Sequence, residues 1–146
     1  MSQITFYIFR FALIVFGFVC ATFAASLFLN LLWLGSSEAI GSEGPFLYST
    51  VPIFATMIGY SVFIPACILI LFAELTAWRD LLFYALGGAA TAVVIIVWKW
   101  RPQTEDIDTF AAILATGVVG GFVYWLVSGR SAGLVMPPRS SGGPAA

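Results

Sequence analysis

The chain has 146 residues, of which 61% are hydrophobic and 9% charged, with a net charge of −1. Soluble domains carry about 25% charged residues, so this chain cannot clothe a water-facing surface. Six scattered basic residues cannot track a phosphate backbone, which excludes nucleic acid as a partner. The absence of histidine removes the commonest metal ligand and the usual proton shuttle, so neither a metal nor another cofactor is expected.

Four blocks carry no charge at all: Phe11–Leu34, Phe46–Ala73, Leu81–Trp98 and Thr109–Gly129. About 20 apolar residues in a helix cross a hydrocarbon core of roughly 30 Å. Lipid offers the backbone no hydrogen-bond partners, and a helix supplies its own. The expected fold is therefore all-α: a polytopic membrane protein with four transmembrane helices in an antiparallel bundle. A single transmembrane domain fills 1–130, with spans near 5–34, 47–78, 81–100 and 108–129. Too little sequence remains outside them for a soluble catalytic domain.

The first helix begins near Ile4. Its apolar run is longer than the 7–15 residues of a signal-peptide core, so it reads as a retained span. Arg10 lies near its start, where it can snorkel to the headgroups. Its many phenylalanines read as lipid-facing bulk, and Thr22 and Asn30 as donors to neighbouring helices, each bond worth about 0.6 kcal/mol. A loop over 35–45 follows, carrying Glu38 and Glu43 but no basic residue.

In the second helix Pro52 falls in the first turn, where a missing N–H costs little. Pro65 lies deeper and leaves the Ser61 carbonyl without its helical partner, so a bend is expected there. This helix ends near Trp78, and Arg79-Asp80 alone separates it from the third, which forces an antiparallel hairpin. Pro102 closes the third helix. Glu105, Asp106 and Asp108 then complement the dipole of the fourth. The segment 131–146, rich in Pro, Gly and Ser, is expected to be disordered.

All five tryptophans (Trp33, Trp78, Trp98, Trp100 and Trp125) fall at span ends, as an interfacial belt requires. Lys and Arg in short loops set orientation. Arg10, Arg79, Arg130 and Arg139 fall on one side and Lys99 and Arg101 on the other, which places both termini in the cytoplasm.

Few residues can carry chemistry. Cys20 and Cys67 sit in apolar blocks without redox spacing and read as small buried hydrophobes. Ser61 and Ser128 have no evident base. Glu74 is an acid inside a span, five residues before Arg79 and so roughly 7.5 Å from the interface. An intramembrane acid invites a functional reading. The structural reading comes first: Glu74 faces the bundle and pairs with Arg10, Arg79 or Arg130, all near the same face; the functional reading makes it a proton or cation site. Gly117 and Gly121 form a G-x-x-x-G pair, and Gly87, Gly88 and Ala92 a similar stripe. Such small residues let helices approach closely, within one chain or between copies.

Two stretches carry a likeness. One runs Pro65-Ala66, Ala73-Glu74, Trp78-Arg79, Leu82-Phe83-Tyr84 and Gly87-Gly88. The other runs from Gly120-Gly121-Phe122-Val123-Tyr124-Trp125-Leu126 to Gly129-Arg130-Ser131-Ala132-Gly133. Together they resemble functionally uncharacterised small four-helix inner-membrane proteins of alphaproteobacteria. The resemblance covers helices 2 to 4 and implies a multi-pass protein of the bacterial cytoplasmic (inner) membrane. It brings no activity and no site residue.

Three functions follow from these features. The first is a non-catalytic accessory, assembly or structural subunit, partnered by the lipid bilayer and by other membrane proteins or itself through helix contact. The second is a small oligomeric transporter or channel using Glu74. The third, a membrane enzyme, lacks an acid–base or nucleophile–base pair; an apolar quinone or lipid pocket remains open.

Overall fold

The computed structural model describes residues 3–35, 44–99 and 107–131. The expectations for Glu38, Glu43, Trp100, Arg101, Pro102, Glu105, Asp106 and the segment 132–146 lie outside the described residues. Those residues form four helices: α1 (Gln3–Gly35), α2 (Gly44–Thr76), α3 (Leu81–Lys99) and α4 (Ile107–Val127), with a short 3-10 turn at Gly129–Ser131. Each helix is long and apolar enough to cross a membrane. The chain is an all-α helical bundle, with no strand among the described residues.

α1 packs on α2, α2 on α3, α3 on α4, and α4 back on α1. Neighbours run antiparallel, as pairs of contacts fix. Arg10 near the start of α1 meets Glu74 at the end of α2, while Ser26 further along α1 donates to the Val51 carbonyl at 2.7 Å near the start of α2. The most extensive contact is α3 on α4, and the slightest is α2 on α3.

The small-residue stripes explain the first of these. A Cβ added to Gly88 would fall onto the Gly117 carbonyl, and one added to Gly121 onto the Tyr84 carbonyl. At Gly117 it would come within 2.9 Å of Ala92 Cβ. Gly88, Ala92, Gly117 and Gly121 thus form one seam in which backbone meets backbone, the approach that small residues permit in lipid. Gly87 does not belong to it. It faces α2, where an added Cβ would lie 3.3 Å from Leu69 Cδ1. Gly17 does the same work between α1 and α4, since its Cβ would press on Ser128 Cβ at 2.9 Å.

The helix ends differ from the sequence-based bounds for physical reasons. α2 ends at Thr76, two residues before Trp78, because Ala77 takes a left-handed φ of 53°. The Trp78 amide then turns back to the Ala73 carbonyl at 3.2 Å, and the Trp78 ring meets Phe72 edge-on at 6.2 Å. This is a Schellman end with its accompanying apolar contact. Asp80 caps α3, its Oδ1 accepting from the Leu82 amide at 3.4 Å. α4 ends at Val127, and Ser131 belongs to the 3-10 turn rather than to a disordered tail. Both Pro52 and Pro65 lie inside α2, which continues unbroken across them.

Five side chains depart from expectation. Cys67 is exposed and Cys20 only partly covered. Thr22 donates to Val19 O at 2.9 Å and Asn30 to Ser26 O at 2.9 Å, both within α1; the bond to a neighbouring helix comes from Ser26 instead. Arg10 turns into the bundle and is buried, with 4% of its surface exposed.

Candidate functional site

The buried arginine and the intramembrane acid find each other. Arg10 and Glu74 form a two-pronged ion pair: Nε donates to Oε2 at 3.2 Å and Nη2 donates to Oε1. Glu74 is as enclosed as its partner, 4% exposed. Such fork-to-fork geometry satisfies both carboxylate oxygens and fixes the guanidinium plane. The other prong of Arg10 reaches the far side of the bundle. Nη1 donates to Ser131 Oγ at 2.7 Å and to the Ser128 carbonyl at 3.4 Å. One side chain therefore ties α1 to the last turn of α2 and to the C-terminal end of α4. A cation at that end also complements the α4 dipole.

The pair sits in a frame of aromatic rings. Phe72, Trp78, Phe83, Tyr84 and Tyr124 form a chain of ring contacts with centroids between 5.0 and 6.2 Å apart. The Tyr84 hydroxyl donates to the Trp78 carbonyl at 3.3 Å, and Trp125 Nε1 to the Arg79 carbonyl at 2.8 Å. These bonds pin the 77–80 turn to α3 and α4. Tyr84 and Tyr124 lie within electrostatic reach of both Glu74 and Arg10.

The other candidate basic residues lie outside this enclosure. Arg130 is exposed, with its guanidinium carbon 5.5 Å from the centre of the Trp125 ring, in range for a cation–π contact. Arg79 is exposed beside the turn. Among the described residues no group of three His, Cys, Asp or Glu is placed to hold a metal ion.

Between the four helices lies a cavity of about 440 Å³. Its wall takes Phe18 from α1, Ala66 and Leu69 from α2, Thr91 from α3, and Gly120 and Tyr124 from α4, among other residues. Its polar members are mostly committed to backbone: Thr22, Thr91 and Thr116 donate to carbonyls of their own helices. Tyr124 Oη and Ser128 Oγ are buried, and among the described residues neither has a hydrogen-bond partner. Ser128 follows directly on α4, its amide donating to the Tyr124 carbonyl at 2.8 Å, and the two hydroxyls lie near each other, short of hydrogen-bond geometry.

Sequence reasoning singled out Glu74 and its possible basic partners. It missed Tyr84, Tyr124 and Ser131, and with them the cavity. Tyr84 and Tyr124 do carry a signal, since each follows a small-residue stripe or precedes one by three or four positions. The chain matches no family model, and no curated protein or solved structure is significantly similar to it.

Proposed function

We propose that this chain is a non-catalytic subunit of the bacterial inner membrane, acting as an accessory, assembly or structural protein through helix contact within the bilayer. One observation carries the reading: the ionisable groups inside the bundle are spent on holding it together. Glu74 and Arg10 engage each other in two-pronged geometry, and the remaining prong is on Ser128 and Ser131. The Gly88–Gly117–Gly121 seam is likewise consumed within the chain, so contact with another protein must use another face. α2 has the smallest buried share of the four spans, and Ile53, Ile64, Ile68 and Leu71 stand out from it. That makes α2 the contact helix in this reading.

A photo-crosslinking residue placed at Ile64 or Leu71, and for comparison at Phe16 of α1, tests the idea in intact membranes. The expected outcome is a reproducible protein adduct, to a second copy or to one other chain, from α2 and not from Phe16. Adducts to lipid alone from every position would overturn it.

The rival reading, a small oligomeric transporter or channel with Glu74 as its proton or cation site, requires a carboxylate free to exchange its ion. The Arg10 fork opposes that. Flux abolished by Glu74→Gln in a protein that still folds would restore the rival. For orientation, both termini in the cytoplasm remains our reading. Arg10 is buried and so drops out of the count, leaving Arg79, Arg130 and Arg139 against Lys99 and Arg101.

A further inference from the structure

A second, shallower groove opens on the surface beside the turn that joins α2 to α3, and its two ends differ in chemistry. Phe83, Leu86, Gly87 and Ala90 line one part of it. Spaced i, i+3, i+4 and i+7, they form one face of α3. Gly87 and Ala90 carry no more than a methyl group, which leaves that face low enough for a chain to lie along it. Arg79 and Asp80 line the other part, next to Trp78. The Trp78 side chain is exposed, and an exposed tryptophan at a span end marks the depth of the headgroups. From Asp80 to Ala90 the helix climbs about 15 Å at 1.5 Å per residue, half of a hydrocarbon core of roughly 30 Å. The groove thus runs from headgroup depth to about the middle of the bilayer, the reach of one lipid leaflet.

The charged end is fixed by bonds from other helices. The Tyr84 hydroxyl donates to the Trp78 carbonyl at 3.3 Å, and Trp125 Nε1 to the Arg79 carbonyl at 2.8 Å. Asp80 is held as the α3 cap by the Leu82 amide. Backbone already in place costs little ordering when a ligand arrives. Arg79 and Asp80 are both exposed. A guanidinium suits a phosphate, which it can grip with two parallel bonds. A carboxylate beside it suits an ammonium. A purely anionic headgroup would meet Asp80 and a purely cationic one would meet Arg79, whereas a headgroup carrying both charges is matched by both. The remaining basic residue at this end, Arg130, lies over Trp125 and does not line the groove.

We infer that the groove holds one phospholipid with a primary-ammonium headgroup, its phosphodiester on Arg79, its ammonium on Asp80 and one acyl chain along the Phe83–Ala90 face of α3. This does not rest on the accessory role.

Native mass spectrometry of the full-length protein tests it, with the protein released from mild-detergent micelles that hold equal amounts of dioleoyl phosphatidylethanolamine, phosphatidylcholine and phosphatidylglycerol. The three differ only in headgroup. The expected result is a single retained lipid, phosphatidylethanolamine, favoured about three- to fivefold over either of the others, the scale of one exposed ion pair. Asp80→Asn removes the charge but keeps a good helix cap, and should bring phosphatidylethanolamine level with phosphatidylcholine. Arg79→Gln should weaken retention of all three lipids. Ala90→Phe, across the path of the chain, should abolish retention whatever the headgroup. If that variant does not fold, the headgroup ratio in Asp80→Asn carries the test. Equal retention of the three lipids by the parent, a preference for phosphatidylglycerol, or an Asp80→Asn protein that sorts the lipids as the parent does would overturn the proposal.

Discussion

If the Arg10–Glu74 pair holds the bundle together, its two members must be strongly coupled. Each is 4% exposed, and each is the other's counter-charge. Replacing Glu74 with Gln removes the charge but keeps the shape, leaving a guanidinium enclosed among helices. Breaking a buried pair this way costs about 3–5 kcal/mol. Arg10→Met takes the guanidinium away from the carboxylate and should cost a similar amount. The double variant Arg10→Met/Glu74→Met strands no charge. It loses the Arg10 bonds to Ser131 Oγ and Ser128 O, each worth roughly 1 kcal/mol, while the new side chains recover some packing. It should therefore cost about 1–2 kcal/mol, less than either single change. Reversible unfolding in mixed micelles, followed by tryptophan fluorescence, measures all four proteins. Single variants that cost under about 1 kcal/mol, or costs that simply add in the double variant, would refute the reasoning.

Two further predictions concern backbone. Gly120 and Gly121 are adjacent, yet an added Cβ would meet only ordinary contacts, at 3.6 Å, in the first case and the Tyr84 carbonyl in the second. Gly120→Ala should leave stability within about 0.5 kcal/mol of the parent, and Gly121→Ala should lower it by about 1–3 kcal/mol as α3 and α4 are forced apart; the same unfolding titration reads both. At the end of α2, Ala77→Gly removes the penalty of a left-handed alanine, roughly 1 kcal/mol, and should raise the unfolding midpoint.

The sequence carries the helices openly because the constraint that produces them is coarse. A run such as Leu81–Trp98 without charge has one stable form in lipid. Ends are finer events. Nothing in the composition marks Ala77 as the residue that turns left-handed, because the Schellman closure depends on Trp78 reaching Phe72 and Ala73. The seam was half legible. The four-residue spacing of Gly88 and Ala92, and of Gly117 and Gly121, marks one face of each helix, but Gly87 looks equivalent until α2 is in place beside it. Arg10 was legible as a basic residue near Glu74, though not as the partner chosen, since a side chain this long can either snorkel or turn inward. Which it does depends on the acceptors waiting inside. Here Glu74 and the Ser128 carbonyl supply them from segments 64 and 118 residues away.

The same dependence explains why the cavity has no trace in the chain. A void belongs to the spaces between helices, and these are set by how closely each pair can approach. The glycines draw α4 against α3 and, through Gly17 and Gly120, against α1. α2 has no such seam with α3: Leu69, a full-sized side chain, stands between it and Gly87. Three helices are thus drawn together, while α2 keeps to α1, through Gly59 against Thr22 at its middle and through Glu74 to Arg10 and Val51 to Ser26 towards its ends, and stands off from α3. The gap left on the α3 side is a half-open cleft lined by residues of all four helices. Filling Gly87 with a larger residue should widen that gap, whereas shortening Leu69 to alanine should let α2 settle inward, and the space open to an apolar ligand should shrink with it.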